Sequence, residues 1–196
     1  MEKQSIQHYN GYILAGGKSS RMGEDKGLML FNGKSVVQYV VDALVPVVNE
    51  VVIVSNNPAY EIFGLKVIAD EIKDVGPAGG ICAALQHSFV ENNVMIGCDM
   101  PFVSSAAIEE LIKNSEGSQI TLPIHDGLLE PLFGVYRTEC KHEWRRLVLG
   151  GNVKLHELVK HFKLQEFNVN NRSIFTEKLF MNINTRQEFE WALNQS

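Results

Sequence analysis

The sequence predicts a three-layer α/β/α sandwich built on a mostly parallel sheet. Three observations carry that prediction. Short apolar runs alternate with segments of helical period from residue 11 to residue 124. A glycine, asparagine or aspartate cluster follows each of the first four apolar runs, where such folds turn from strand to helix. The chain has 196 residues, 45% hydrophobic and 21% charged, which is enough to bury one ordinary core.

The elements follow in order. "GYILA" (11–15) is a short buried strand. Residues 35–47 place Val36, Val37, Val40, Val41 and Leu44 on one helical face, with Ser35 as N-cap and Pro46 as the stop. "EVVIVS" (50–55) is continuously β-branched, as a strand buried on both faces is. "NPAYEIF" (57–63) is a short helix and "LKVIAD" (65–70) a third strand. "GPAGGICAALQHSF" (76–89) is a Gly-rich turn opening into a helix. "NVMIGCD" (93–99) is the fourth strand, "SSAAIEELIKN" (104–114) a helix capped by Ser104 or Ser105, and "QITLPI" (119–124) the fifth strand. Beyond it the pattern predicts a strand at 132–137, helices at 138–149 and 154–162, a strand at 163–169 and a closing helix at 185–193. No linker-like segment divides the chain, so a single domain over 1–196 is expected.

The net charge of −5 and a pI of about 5.7 argue against nucleic acid or an anionic membrane as the main partner. No apolar run approaches the ~18 residues of a membrane span, and the first ten residues do not read as a signal peptide. Cys82, Cys98 and Cys140 are odd in number, far apart and without a Cys-x-x-Cys, which predicts a reduced, cytoplasmic protein.

In parallel α/β folds, ligands bind beyond the C-terminal ends of the strands. The segments that follow the predicted strands are accordingly informative. Gly16-Gly17 come after the first, with Lys18, Arg21 and Lys26. Ser55-Asn56-Asn57 come after the second. Asp70 ends the third and the Gly-rich turn follows. Gly97-Cys98-Asp99 end the fourth. Glycines admit a phosphate to the backbone N–H groups, and Lys and Arg neutralise it. A tight surface turn with solvated charge is the plainer alternative. The Walker A pattern fails because Tyr12 stands where its first glycine belongs, and Gly-x-Gly-x-x-Gly is absent. Asp99 reads either as a ligand for Mg²⁺ or as a helix cap, although the serines lie nearer the coming helix. "GPAGGI" (76–81) either presents N–H groups to a nucleotide or simply turns. His156 and His161 lie about 140° apart around a helix and share no face, so zinc is rejected. Trp144, Phe189 and Trp191 read as core.

"LAGGKSSRMGEDKGLMLFNGKSVVQYV" resembles the signature loop of nucleotidyltransferases that build NDP-sugars and related conjugates. The compact "SSRMGEDK" is most similar to the molybdenum cofactor guanylyltransferase (MobA) branch. "GPAGGI", "GCDMPF", "EPLFGVY" and "NINT" match further motifs in order, so the resemblance spans residues 11 to 185. It implies the Rossmann-like sheet of nucleotide-diphospho-sugar transferases, with a nucleotide half to about residue 125 and an acceptor half beyond. It implies transfer of GMP from GTP to the terminal phosphate of Mo-molybdopterin, with release of pyrophosphate. Mg²⁺ would sit on Asp99, with Asn184 as a second candidate ligand. Arg21 and Lys26 would neutralise the phosphates, and Leu14, Ala15, Gly16 and Gly17 would supply backbone contacts. Ser55, Asn57, Asp70, Gly76 and Gly80 would face the nucleotide; Glu130, Asn182 and Asn184 would border the acceptor. Arg145, Arg146 and Lys154 read as a solvated face, with contact to an anionic pterin as the alternative. The related motif is more often Gly-Pro-Leu-Ala-Gly-Ile; here Ala78 and Gly79 replace its Leu and Ala. Transient contacts with other molybdenum cofactor biosynthesis proteins or molybdoenzyme chaperones are further implications. The rival readings are a CTP-dependent sibling, a sugar-phosphate nucleotidyltransferase and a non-catalytic nucleotide-binding module.

Overall fold

The apolar runs become strands of one sheet, and their ends fall in register. The computed structural model describes residues 9–16, 25–72, 74–183 and 188. In chain order the strands are β1 (Tyr9–Leu14), β2 (Leu30–Phe31), β3 (Lys34–Ser35), β4 (Val51–Val54), β5 (Lys66–Ile68), β6 (Asn92–Gly97), β7 (Ile120–His125), β8 (Leu128–Leu129), β9 (Phe133–Arg137) and β10 (Leu164–Asn168). The helices are α1 (Val36–Leu44), α2 (Pro77–His87), α3 (Ser105–Lys113), α4 (Lys141–Leu149) and α5 (Leu155–Leu158). The main sheet runs β10-β7-β9-β6-β1-β4-β5, with β8 paired to β7. β1, β4, β5 and β6 are parallel; β9 is antiparallel to both β6 and β7, so β7 and its parallel partner β10 point the same way as β6.

α1 and α3 cover one face, where Val37, Val40, Leu44, Ile108 and Leu111 meet Ile13, Ile53, Val94 and Ile96. α2, α4 and α5 cover the other, where Ile81, Leu85, Trp144 and Leu158 meet Tyr12, Val54, Met95 and Leu122. The alternation along β1 explains the split: Ile13 faces one layer, and Tyr12 and Leu14 the other. Trp144 is fully buried, and its indole N–H donates to the Ala78 carbonyl at 3.0 Å, tying α4 to the first turn of α2.

Ser104 caps α3 as expected, its Oγ accepting from Ala107 N at 3.3 Å. Ser35 occupies the N-cap position of α1 and also ends a hairpin strand, but its side chain makes no capping bond. The predicted helix at 154–162 is a single α turn continued by a 3₁₀ turn, Val159–His161. Two hairpins go beyond the expected elements. β2–β3 turns at Asn32-Gly33 (φ 50° and 78°), and β7–β8 at Asp126-Gly127 (φ 50° and 80°). Both are the left-handed pairs that two-residue hairpins require.

A third, small cluster sits beside the sheet's C-terminal rim. Phe31, Val36 and Ile183 are buried together, with Met29, Tyr39 and Phe102 against them. After β10 the chain therefore returns along the rim, pinned by Phe175 and Phe180 in the α1/α3 layer, and reaches the segment after β6 at Ile183. The predicted closing helix and its core residues Phe189 and Trp191 lie outside the described residues.

Candidate active site

The chain passes from β1 to β4 and β5 on one side, then returns to β6 on the other side of β1. The crevice between β1 and β6 is thus the point where strand order reverses, where open α/β sheets bind ligands. Leu14, Val54, Ile68 and Gly97 end their strands in one register row. Ala15 donates to the Val54 carbonyl (2.9 Å), Ser55 to Ile68 (2.8 Å) and Cys98 to Leu14 (3.2 Å), so all four segments that follow leave the same rim. Leu14 and Ala15 are buried, whereas Gly16 is exposed. Among the described residues nothing lies within 4 Å of where a Cβ on Gly16 would stand, so packing does not demand the glycine there.

Asp99 lies across this crevice. Its carboxylate folds back over Gly97, where an added Cβ would stand 2.8 Å from Oδ1. Burial raises the Asp99 carboxyl above the usual carboxylate range, the Lys26 cation opposes that rise, and Glu188 adds to it. Lys26 is therefore close enough to Asp99 to act on it. It opens a 3₁₀ turn, Lys26–Leu28, whose N-cap is Asp25.

Asp25 is the side chain that sequence reasoning left without a role. Oδ1 accepts from the Tyr60 hydroxyl (2.5 Å) and from Gly27 N (3.2 Å), and Oδ2 accepts from Asn57 Nδ2 (2.9 Å). An Asp two residues before a Gly is a local signal for such a cap; the Tyr60 partner, 35 positions away, left none. Asn57 departs from its expected place facing the nucleoside. Its amide nitrogen goes to Asp25, and its carbonyl caps the next 3₁₀ turn by accepting from Ala59 N at 3.0 Å. Ser55 is buried, and its Oγ accepts from Asn57 N at 3.1 Å.

Asp70 stands at the end of β5. Its backbone N–H and carbonyl are both bonded by the Asn56 amide at 3.1 Å, clipping the second and third strand ends together. Its carboxylate accepts from Ile72 N at 3.0 Å, and burial raises its pKa. A cavity of about 380 Å³ opens beside it, lined also by Gly79, Cys82, His87 and Arg145. A Cβ at position 79 would lie 2.5 to 2.7 Å from the Asp70 oxygens. Gly79, where the related motif has Ala, is what lets Asp70 come this close. Gly76 is the exposed N-cap of α2, with no described atom within 4 Å of its Cβ position. Gly80 is buried within the helix, 3.4 Å at its Cβ position from a Leu14 methyl, and serves the packing of α2 on β1.

The described residues expected at the acceptor side also reach the rim. β9 starts there, and Gly97 N donates to the Leu132 carbonyl at 2.8 Å, holding Glu130–Leu132 beside β6. Burial pushes the Glu130 carboxyl up to about 7. Ile183 N donates to the Asp99 carbonyl at 3.0 Å, which brings Asn182 to the same place; its Oδ1 is buried without a partner among the described residues. His125, at the end of β7, stacks on Phe180 with ring centroids 4.5 Å apart. That stack was not visible in the sequence. Gly17, Lys18, Arg21, Asn184 and Thr185 lie outside the described residues. Of the helix-face cations, Arg146 pairs with Glu143 at 2.6 Å on the surface, and Arg145 lines the cavity beside Asp70. His156 and His161 fall in successive turns of different type, and His161 Nε2 lies 3.4 Å from Asn152 Nδ2.

Comparisons with known proteins place the chain in a family. The family model described as "MobA-like NTP transferase domain" matches residues 11–166. A "probable molybdenum cofactor guanylyltransferase" of Flavobacterium johnsoniae is 32% identical over 90% of this chain and 92% of its own. One of the same description from Natranaerobius thermophilus is 33% identical over 92% of each chain. Among solved structures, molybdopterin-guanine dinucleotide biosynthesis protein A of Archaeoglobus fulgidus superposes with a TM-score of 0.82 at 29% identity, covering 95% of this chain and 97% of its own. The 4-diphosphocytidyl-2C-methyl-D-erythritol synthase of Anaerococcus prevotii shares the fold with a TM-score of 0.75 at 12% identity, covering 96% of each chain. With the family match spanning most of the sheet and every strand end that forms the crevice, the chain belongs to the MobA-like NTP transferase domain family.

Proposed function

We propose that this protein transfers GMP from GTP to the terminal phosphate of Mo-molybdopterin and releases pyrophosphate. The observation that supports it best is the crevice between β1 and β6, where an exposed glycine, a lysine and a half-buried carboxylate meet. Residues to about 125 handle the nucleotide on this reading, and those beyond handle the acceptor.

The chemistry is an in-line displacement at the α-phosphorus. An acceptor phosphate is already ionised near neutral pH, so the protein has no strong base to supply; its task is positioning and charge neutralisation. The backbone at 14–16 cradles the phosphates and Lys26 offsets their charge, with Arg21 from the loop between. Asp70 and the exposed backbone at Gly76 border the nucleoside. Glu130 and Asn182 border the acceptor.

The residues fit a hard divalent cation. The donors are oxygens, the missing Cβ at Gly97 lets the Asp99 carboxylate fold over the strand end, and Asn182 Oδ1 is a buried acceptor without a partner among the described residues. Asp99 would hold Mg²⁺, with Asn184, outside the described residues, a second candidate ligand. When bound, the ion supplies Lewis-acid stabilisation to the phosphate oxygens. Among the described residues no helix is long and apolar enough to cross a membrane, and the reading places the enzyme in the cytoplasm, in transient contact with other cofactor-biosynthesis proteins or molybdoenzyme chaperones.

The test is a titration of the Mg²⁺-supplemented protein with GTP, CTP, UTP and ATP, repeated with Asp99→Ala. GTP preference that weakens in the variant supports the reading. CTP preference would keep the mechanism and change the base. Absence of binding to all four would sink the enzyme reading.

A further inference from the structure

Three strand-end segments meet on one carboxylate that the chemistry above does not use. Asp25 follows the β1 loop, Asn57 and Tyr60 follow β4, and Cys98 follows β6. Asp25 takes three donors: the Tyr60 hydroxyl and Gly27 N on Oδ1, and Asn57 Nδ2 on Oδ2. Each donor is itself fixed. Tyr60 is fully buried, and burial, reinforced by Cys98 and Asp25, keeps its phenol protonated well above the ordinary tyrosine range. Asn57 is held at its other end by Ala59 N and through its own N–H by Ser55 Oγ. A side chain at position 27 would collide with the Tyr60 hydroxyl, and its Cβ would stand 3.3 Å from Cys98 Sγ. Lys26 lies between Asp25 and Gly27, and Asp99 follows Cys98 in the chain.

We infer that Asp25 and Asn57 are a positioning pair for the transfer reaction, fixing the main chain that carries Lys26 relative to the strand end that carries Asp99. A carboxylate is required at position 25 because all three partners donate and it only accepts. Asparagine has the same shape but brings an NH₂ group. In one orientation that group faces Asn57 Nδ2, and in the other it faces Gly27 N–H, so one donor always meets another. Exchanging the pair removes the conflict. In the double variant Asp25→Asn/Asn57→Asp, the amide oxygen now at position 25 accepts from Tyr60 and Gly27. The amide nitrogen there donates to the carboxylate now at position 57, whose other oxygen still accepts from Ala59 N. Every hydrogen bond is restored at unchanged net charge while the carboxylate moves to the neighbouring segment. Positioning survives that exchange; direct contact of the Asp25 carboxylate with metal or substrate does not.

The activity arm of the test rests on the proposed function. Wild type, D25N, N57D and the exchange variant are compared in GMP transfer, in Mg·GTP affinity and in thermal melting. Displacing the chain that holds Lys26 is expected to lower kcat by ~10–100-fold in each single variant, with KM for GTP moving less than kcat. The exchange variant is expected to recover to within about 5-fold of wild type, since all its bonds return. Tyr60→Phe, which deletes one donor and keeps the ring, covers the case in which a single variant does not fold; its kcat is expected to fall while KM changes less. An exchange variant no better than the singles overturns the inference and assigns the Asp25 carboxylate a direct role. Wild-type kcat in D25N and Tyr60→Phe overturns it as well. Should the wild type bind Mg·GTP but transfer no GMP, the function reading fails on its own. The same cycle then stands on affinity, with loss in the singles and recovery in the exchange expected, and unchanged affinity in the singles overturning it.

Discussion

Replacing Glu130 with glutamine should stabilise the protein at pH 8 and leave it nearly unchanged at pH 4. Glu130 sits at the entry to β9, and burial lifts its carboxyl from an ordinary 4.5 to about 7. A raised carboxyl binds its proton more tightly in the folded chain than in the unfolded one. Below pH 4.5 both states are protonated and the group is silent. Between pH 4.5 and 7 the folded state holds the proton and the unfolded state has lost it, so stability falls as pH rises; above 7 the loss is complete. At face value the gap corresponds to about 3.4 kcal/mol. The carboxyl is partly exposed, and solvent screening reduces this to about 1–2 kcal/mol. Glutamine carries no titration, so the stability difference between Glu130→Gln and wild type should grow by that amount from pH 4 to pH 8. For a chain of this size that is roughly 2–8 °C in melting temperature. Melts of both proteins in a pH series provide the assay. A difference that stays flat with pH would refute the argument, because it would mean that Glu130 is ionised in the folded state as readily as in water.

Three further outcomes follow from packing at named positions. Gly97→Ala would push a Cβ into the Asp99 carboxylate, so GMP transfer should fall by about 10–100-fold while circular dichroism stays native; equal activity would show that the carboxylate has room to move. Trp144→Phe keeps a ring in the core but leaves the Ala78 carbonyl without its indole donor, a loss of about 1–2 kcal/mol readable as a lower urea midpoint. Ser104→Ala removes the side-chain cap of α3 and should cost about 1 kcal/mol in the same assay, without effect on GTP affinity.

The sheet was legible because its strands are β-branched runs and its helices keep one apolar face. The two hairpins were not read, although Asn32-Gly33 and Asp126-Gly127 are strong turn signals. Three of their four strands are two residues long, too short for a period to show. At the site, residues at the strand ends could be placed on the rim from topology alone. Which way a side chain turns there is a different matter. Asn57 was placed on the correct segment, but its amide answers to Asp25, and Asp25 to Tyr60, through contacts across more than thirty positions that no local spacing encodes. The approach of Asp70 to Gly79, only nine positions apart, follows from how α2 packs on the sheet, which no period reveals either.

The single reversed strand between β6 and β7, β9, has a consequence for how the protein can diversify. A parallel strand in that place would need a crossover over a face of the sheet, built into one of the two helical layers. Because β9 runs backwards, the chain travels from β7 to β9 without leaving the rim, through a hairpin and the segment 130–132. That connection can lengthen, shorten or change composition while Gly97 N still donates to the Leu132 carbonyl and both apolar layers stay as they are. On the proposed reading, in which Glu130 borders the acceptor, residues 126–131 are therefore where that side could be varied as a cassette without disturbing either helical layer.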